Sequence, residues 1–189
     1  VTIGIVNDGG DFENTPNIEY STNNKSTWAT WDYSGISLDD AEDGKVYLRG
    51  MNRGGFSTSF SKYSKFTMSG SIAASGNIMA LIDYTQDVDT IPCDYCFYAT
   101  FNNCSSLTNA PELPATTLAN KCYSNMFRNC TSLTTAPELP ATTLANEVYS
   151  SMFQGCTSLT TAPALPATTL AYNCYQGMFQ GCTSLTTAP

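Results

Sequence analysis

Eight cysteines and no histidine set the reactive chemistry this chain could attempt. Cys104, Cys130, Cys156 and Cys182 recur every 26 residues, and Cys96, Cys122 and Cys174 form a second series in which Val148 fills the missing place. Stacked one strand spacing apart, roughly 4.8 Å, such thiols are near enough to bridge, yet a continuous ladder favours no particular pairing. Valine can replace a packed thiol but neither a metal ligand nor half of a disulfide. The cysteines therefore read as reduced, packed thiols acting as small apolar groups, with bridges in an oxidising compartment as the alternative. Cys93 and Cys96 have C-x-x-C spacing, but zinc needs four ligands and neither a histidine nor a second such pair is present. A thioredoxin-like setting is also missing, so the spacing reads as coincidence and no metal site is expected.

Oxygen chemistry is equally sparse. The acidic clusters Asp8/Asp11, Asp39/Asp40/Glu42/Asp43 and Asp83/Asp87/Asp89 lack the regular oxygen spacing of a calcium loop and read as solvated turns. Nothing selects a carboxylate pair for acid–base work, and without histidine no serine or cysteine nucleophile has its usual base. We expect no enzyme, no catalytic residue and no cofactor. Binding remains, and two sets of residues suit it. Trp28 and Trp31, with Tyr20, Tyr33 and Tyr47, could offer flat rings to a sugar; in a strand the two tryptophans face opposite ways, so one belongs to the core. The pairs Ser106/Thr108, Ser132/Thr134, Ser158/Thr160 and Ser184/Thr186 would line one face as a charge-free hydroxyl lattice. Such a lattice could meet a glycan, a protein, an identical subunit or ice, or be plain solvated strand hydroxyls.

The elements that must position these groups are repeated. A 26-residue unit is written three times from Cys104, Cys130 and Cys156, and a fourth begins at Cys182. The second copy differs from the third at six positions and from the first at seven. Repetition of this fidelity predicts a solenoid whose turns cover one another's apolar faces. Within the unit, 106–110 reads as a short strand with Leu107 inward, and Pro111 and Pro114 mark a bend. Leu118, Cys122 and Met126, with Ala119, Tyr123 and Phe127, step by four and predict a short helix over 115–127, with Thr116 or Thr117 as N-cap. Six of the ten offsets that vary among the copies, those of Asn120, Lys121, Ser124, Asn125, Arg128 and Asn129, fall on the polar side of that helix. The segment 96–104 aligns with 122–130, so a degenerate half-turn starts near Ile91.

Residues 1–90 differ in kind. Segments 2–6, 17–21, 27–31, 45–50, 56–60, 65–69 and 78–83 read as strands separated by turn residues, predicting a small antiparallel β-sandwich that caps the repeats. In 56–60, Phe56, Thr58 and Phe60 alternate with Ser57 and Ser59, the pattern of a half-buried strand. The expected fold class is thus α+β, with a β-sandwich at 1–90 and a strand-plus-helix solenoid at 91–189. Residues 1–103 carry 13 acidic and 6 basic side chains, and the rest carry 3 and 2. An acidic chain without a basic cluster is repelled by phosphate backbones, which excludes nucleic acid and anionic membranes as partners. No apolar run approaches the ~20 residues of a membrane span, nor does a charged-then-apolar leader open the chain. Beginning at Val1 and stopping inside a unit, it reads as a processed or excised piece of something longer.

The motif MF-x-x-C-T-S-L-T-T-A-P, as in 152–163, resembles the BspA-type (Treponema-type) leucine-rich repeat, and it recurs in register through 91–189. Two departures stand out: the unit is longer than the common form, and Thr-Ala-Pro replaces Ile-rich strand positions. The resemblance implies a non-catalytic, extracellular or cell-surface protein of gut or oral bacteria that adheres to host or bacterial surface proteins or glycans. Similar arrays in phages imply an alternative: a virion appendage, fibre or capsid-decorating protein whose repeats act as spacer or as contact between identical subunits. A third expectation is an accessory domain acting on carbohydrate through Trp28 and Trp31.

Overall fold

A computed structural model describes residues 1–8, 16–187 and 189. Two small antiparallel sheets occupy the N-terminal part. In the first, β1 (Thr2–Asp8) lies between β4 (Ile36–Ser37) and β6 (Tyr63–Ser69); in the second, β2 (Ile18–Ser21) lies between β3 (Ala29–Thr30) and β5 (Tyr47–Gly50). Ile3, Ile5, Ile18 and Phe66 turn inward, and Trp31 beside β3 stacks on Phe66 of the first sheet at 6.4 Å. Two expected strands do not form. Segment 78–83 instead starts with a 3-10 turn, Ile78–Leu81, capped by the Asn77 side chain, which accepts from the Met79 amide. In 56–60 the alternation fails because Phe56 and Ser57 are both buried while Phe60 is 64% exposed.

The expected α+β class, with a strand-plus-helix leucine-rich-repeat solenoid, is overturned. Among the described residues regular structure is nearly all β, in small sheets, and that single 3-10 turn is the only helical element. The cause lies in the backbone of the segment expected to be helical. Lys121, Asn125 and Asn129 have φ of 56°, 56° and 60°; Glu147, Ser151 and Gly155 follow at 53°, 53° and 75°, and Asn173, Gly177 and Gly181 at 49°, 63° and 79°. A left-handed residue every fourth position cannot belong to an α-helix. The chain instead makes consecutive turns, and alternate amides have different duties. Those of Ser124, Met126 and Arg128 close turns onto Lys121, Tyr123 and Asn125, whereas those of Lys121, Asn125, Phe127 and Asn129 donate to Asn146, Ser150, Met152 and Gln154 in the next unit, at 2.8–2.9 Å.

The units therefore lie on one another in register as turn-built coils. Two columns of rings run through the pile: Phe97, Tyr123, Tyr149, Tyr175, and Phe101, Phe127, Phe153, Phe179. Neighbouring rings sit 5.4–6.2 Å apart and within 15° of parallel. Of the strands expected in the repeated units, only β8 (Leu107–Asn109) is regular among the described residues, pairing in parallel with β7 (Ile72–Ala73); later units keep single bridges, Asn109 to Thr135 to Thr161.

The N-terminal part packs directly on the coils. Phe56 stacks on Phe97 and Phe66 on Phe101, so the N-terminal part extends both ring columns. The amides of Ser57, Phe66, Ile72 and Ile78 donate to Cys96, Thr100, Ser106 and Glu112. Residues 56–91 thus form the first layer of the pile, and β1 closes its outer edge by pairing with β6. A strand paired there along its whole length satisfies backbone groups that an open end would leave bare.

Candidate functional site

The hydroxyl face comes first. Leu107, Leu133 and Leu159 are fully buried, which turns the residues flanking each of them outward. Thr134, Thr160 and Thr186 are exposed, whereas Thr108, Ser106, Ser132, Ser158 and Ser184 are half-buried. The threonine hydroxyls are anchored: Thr108 Oγ1 donates to the Ile72 carbonyl at 3.1 Å, and Thr160 Oγ1 to the Thr134 carbonyl at 3.3 Å. With its proton committed, each oxygen offers outward lone pairs in a fixed orientation. Beside this column stands a second one, the exposed Thr135, Thr161 and Thr187, whose first two members carry the parallel bridges. Sequence reasoning missed it, although the Thr-Thr dipeptide in those three units was the signal.

The two tryptophans have different fates. Trp31 is 2% exposed, its indole N–H donates to the Ser34 carbonyl at 2.8 Å, and Tyr20, Tyr33 and Phe66 surround it. It is a core residue, and its expected place in a ligand platform is corrected. Trp28 is half-buried, with the Arg49 guanidinium over its ring at 4.1 Å. The same guanidinium lies 4.2 Å from the Tyr84 ring, and its Nε donates to Glu19 at 2.6 Å. Arginine thus already stacks on Trp28 in the place a sugar face was expected to take.

All eight thiols are free. In the 26-residue series each sulfur donates to a phenylalanine carbonyl one layer back: Cys104 to Phe66, Cys130 to Phe101, Cys156 to Phe127, each at 3.1 Å, and Cys182 to Phe153 at 3.0 Å. Valine cannot make that bond, which explains why only the other series, through Val148, tolerates it. Burial pushes the Cys104 and Cys156 thiols up to about 12, leaving them inert. Cys93 is held below the ordinary thiol value, chiefly by a hydrogen bond from Cys96, against its own partial burial.

Among the described residues no group of three or more Cys, Asp or Glu side chains is placed to hold a metal ion. Asp11 lies outside the described residues. Asp83 serves the fold: hydrogen bonds from the Thr85 hydroxyl and amide and from Arg53 hold its carboxyl below the usual range. A groove of about 510 Å³ that sequence reasoning did not foresee runs between two units at the proline bend. Pro111, Pro114, Pro137 and Pro140 line it, with Glu112 and Glu138 at its rim. No helix among the described residues is long and apolar enough to cross a membrane. In comparisons with known proteins, no family model, no curated protein and no solved structure matches the chain.

Proposed function

We propose that the chain is a non-catalytic, surface-exposed ligand-binding or adhesion protein that works through its threonine face. The observation that carries this reading is the exposed column Thr134, Thr160 and Thr186, one hydroxyl per unit, held at the repeat spacing by a rigid core. A charge-free array of oriented acceptors and methyl groups suits a glycan or a protein surface, and many weak contacts at fixed spacing sum to useful affinity. The motif resemblance to BspA-type surface repeats supports an extracellular or cell-surface setting. Glycan-array and surface-protein capture tests it. Binding falls in steps as Thr134→Tyr and then Thr160→Tyr are introduced, while Trp28→Ala leaves it intact; a ligand whose capture ignores both threonine changes refutes the reading.

A second reading, a stiff spacer in a phage or cell-surface appendage, is favoured by the near-parallel ring columns that run through the pile into the N-terminal part. It expects deletion of one whole unit, residues 130–155, to shorten the particle without loss of folding or assembly.

A further inference from the structure

The wall built of turns carries rings in its first coil that the scaffold does not require. At the offset of Tyr98 the later units place Ser124, Ser150 and Gln176, and at that of Tyr95 they place Lys121, Glu147 and Asn173. Those coils form with polar side chains there, so packing alone does not call for aromatic ones. The two extra rings are not solitary. Tyr95 meets Tyr98 edge-on at 5.7 Å, Phe60 leans over Tyr95 at 6.2 Å, and Tyr63 meets Tyr98 edge-on at 5.2 Å. Phe60 is 64% exposed and the three tyrosines are half-buried, so the cluster is a shallow ridge in contact with water. Cations border it. Lys121 Nζ lies 5.4 Å from the centre of the Tyr95 ring and 3.3 Å from Glu147. Burial and Tyr95 push the Tyr98 phenol up, and the charges of Arg128 and Lys121 oppose them. Lys62 directly precedes Tyr63. Among the described residues the exposed side chains of Lys62 and Arg128 have no carboxylate or ring partner, whereas Lys25, Lys45, Arg49, Arg53 and Lys121 are each held by one. Both open positive charges of this acidic chain thus stand beside one ring cluster.

We propose that the ridge of Phe60, Tyr95 and Tyr98, bordered by Lys62 and Arg128, is a second binding site, for an acidic glycan whose sugars carry carboxylates. A sugar presents a face of C–H groups that lies flat on an aromatic ring, while its hydroxyls reach polar groups at the ring's edge, here the Tyr95 and Tyr98 phenols. A carboxylate on the same sugar meets the Arg128 guanidinium in a two-pronged, charge-assisted hydrogen bond. An acidic peptide answers the cations too, but an anchoring side chain seeks a pocket, which a ridge does not offer. Two open cations on a chain of net charge −8 suit a sparsely charged polymer and leave a dense polyanion repelled. The site lies on the turn wall, and the proposal does not depend on the threonine face binding a ligand.

Capture on an array of uronic-acid, sialic-acid and neutral glycans, with glutamate-rich peptides beside them, tests it. Two variants borrow what later units already carry: Tyr98→Ser, after Ser124, and Arg128→Gln, after Gln154. Urea midpoints close to the parent's establish that both fold, and Thr134→Tyr is the control on the other face. The parent captures acidic glycans and holds their neutral counterparts about tenfold more weakly, and each ridge variant lowers acidic capture about tenfold. Arg128→Gln also removes the preference for acid, and Thr134→Tyr changes nothing. No capture of acidic glycans, equal capture of neutral ones, a preference for the peptides, or acidic capture that survives both ridge variants or is lost with Thr134→Tyr overturns the proposal.

Discussion

Replacing Ser151 by glycine should stabilise this protein, and replacing Gly177 by alanine should destabilise it, the reverse of what a helix in that segment demands. Ser151 stands at φ 53° and Gly177 at φ 63°, equivalent corners of successive coils. An L-residue in the left-handed region costs about 1–2 kcal/mol, and glycine returns roughly 0.5–1 kcal/mol of that through its freer unfolded chain. The net expectation for Ser151→Gly is a gain of about 0.5–1 kcal/mol. Gly177→Ala loses a similar amount through the backbone alone, since the added Cβ meets nothing closer than the Ser151 hydroxyl at 3.4 Å. In an α-helix the signs invert: serine to glycine loses roughly 0.5 kcal/mol and glycine to alanine gains about 1 kcal/mol. Urea denaturation of the two variants and the parent, followed by circular dichroism with a common m-value, reads the difference directly. Destabilisation by Ser151→Gly together with stabilisation by Gly177→Ala refutes the turn-built coil.

The ring columns and the buried thiols give two more expectations. Phe127 lies fully buried between Phe101 and Phe153 at 5.4 and 5.6 Å, whereas Phe179 ends its column with one neighbour, so Phe127→Ala costs about 3–5 kcal/mol and Phe179→Ala clearly less; equal losses on denaturation refute ring stacking as the axial tie. Cys104 and Cys156 have folded-state values raised to about 12 from 9.0 in the open chain, so their contribution is complete below pH 9 and is lost as pH rises toward 12, at roughly 1.4 kcal/mol per unit for each thiol. A urea midpoint that stays flat between pH 8 and 10.5 refutes it.

What could be read from residues alone followed the physics of burial. The inward Leu107, the polar drift at Asn120, Lys121, Asn125, Arg128 and Asn129, and the packed thiols all concern which side chains meet water, and hydrophobicity reports that well, although Ser124, read with that polar side, is buried and its hydroxyl donates to the Ser150 carbonyl. Backbone conformation was harder to read, because a step of four is shared by a helix and by a chain of four-residue turns. Two signs separate them. The rows through Ala119, Tyr123 and Phe127 never use a step of three, as a 3.6-residue helix must to hold one face. Asparagine or glycine also stands at most of the left-handed corners, including Asn125, Asn129, Gly155, Gly177 and Gly181. The first layer escaped notice for another reason. Its partners are 35 residues apart at Ile72 and Leu107 and 27 at Thr90 and Thr117, because inserted chain breaks the 26-residue period. On the binding side, spacing located the threonines, but nothing local indicated that an arginine 21 residues away would stack on Trp28.

The division of labour between core and surface bears on how such a face could work. Axial spacing comes chiefly from Phe and Tyr rings and from turn amides that bond one layer to the next at 2.8–3.0 Å, to which the hydroxyl columns add only the longer amide bonds of Thr134 to Thr108 and Thr160 to Thr134, at 3.4 and 3.3 Å. Thr134 and Thr160 receive that spacing rather than create it, since their hydroxyl bonds to the preceding layer are long, 3.5 and 3.3 Å. Surface residues held this way can be exchanged at little cost to folding, typically within about 0.5 kcal/mol. A larger loss of stability on exchanging them would mean that the columns are part of the scaffold. A rigid lattice with interchangeable contact residues therefore separates affinity from stability: adding a unit extends the face by one fixed step, and changing a threonine alters what it meets.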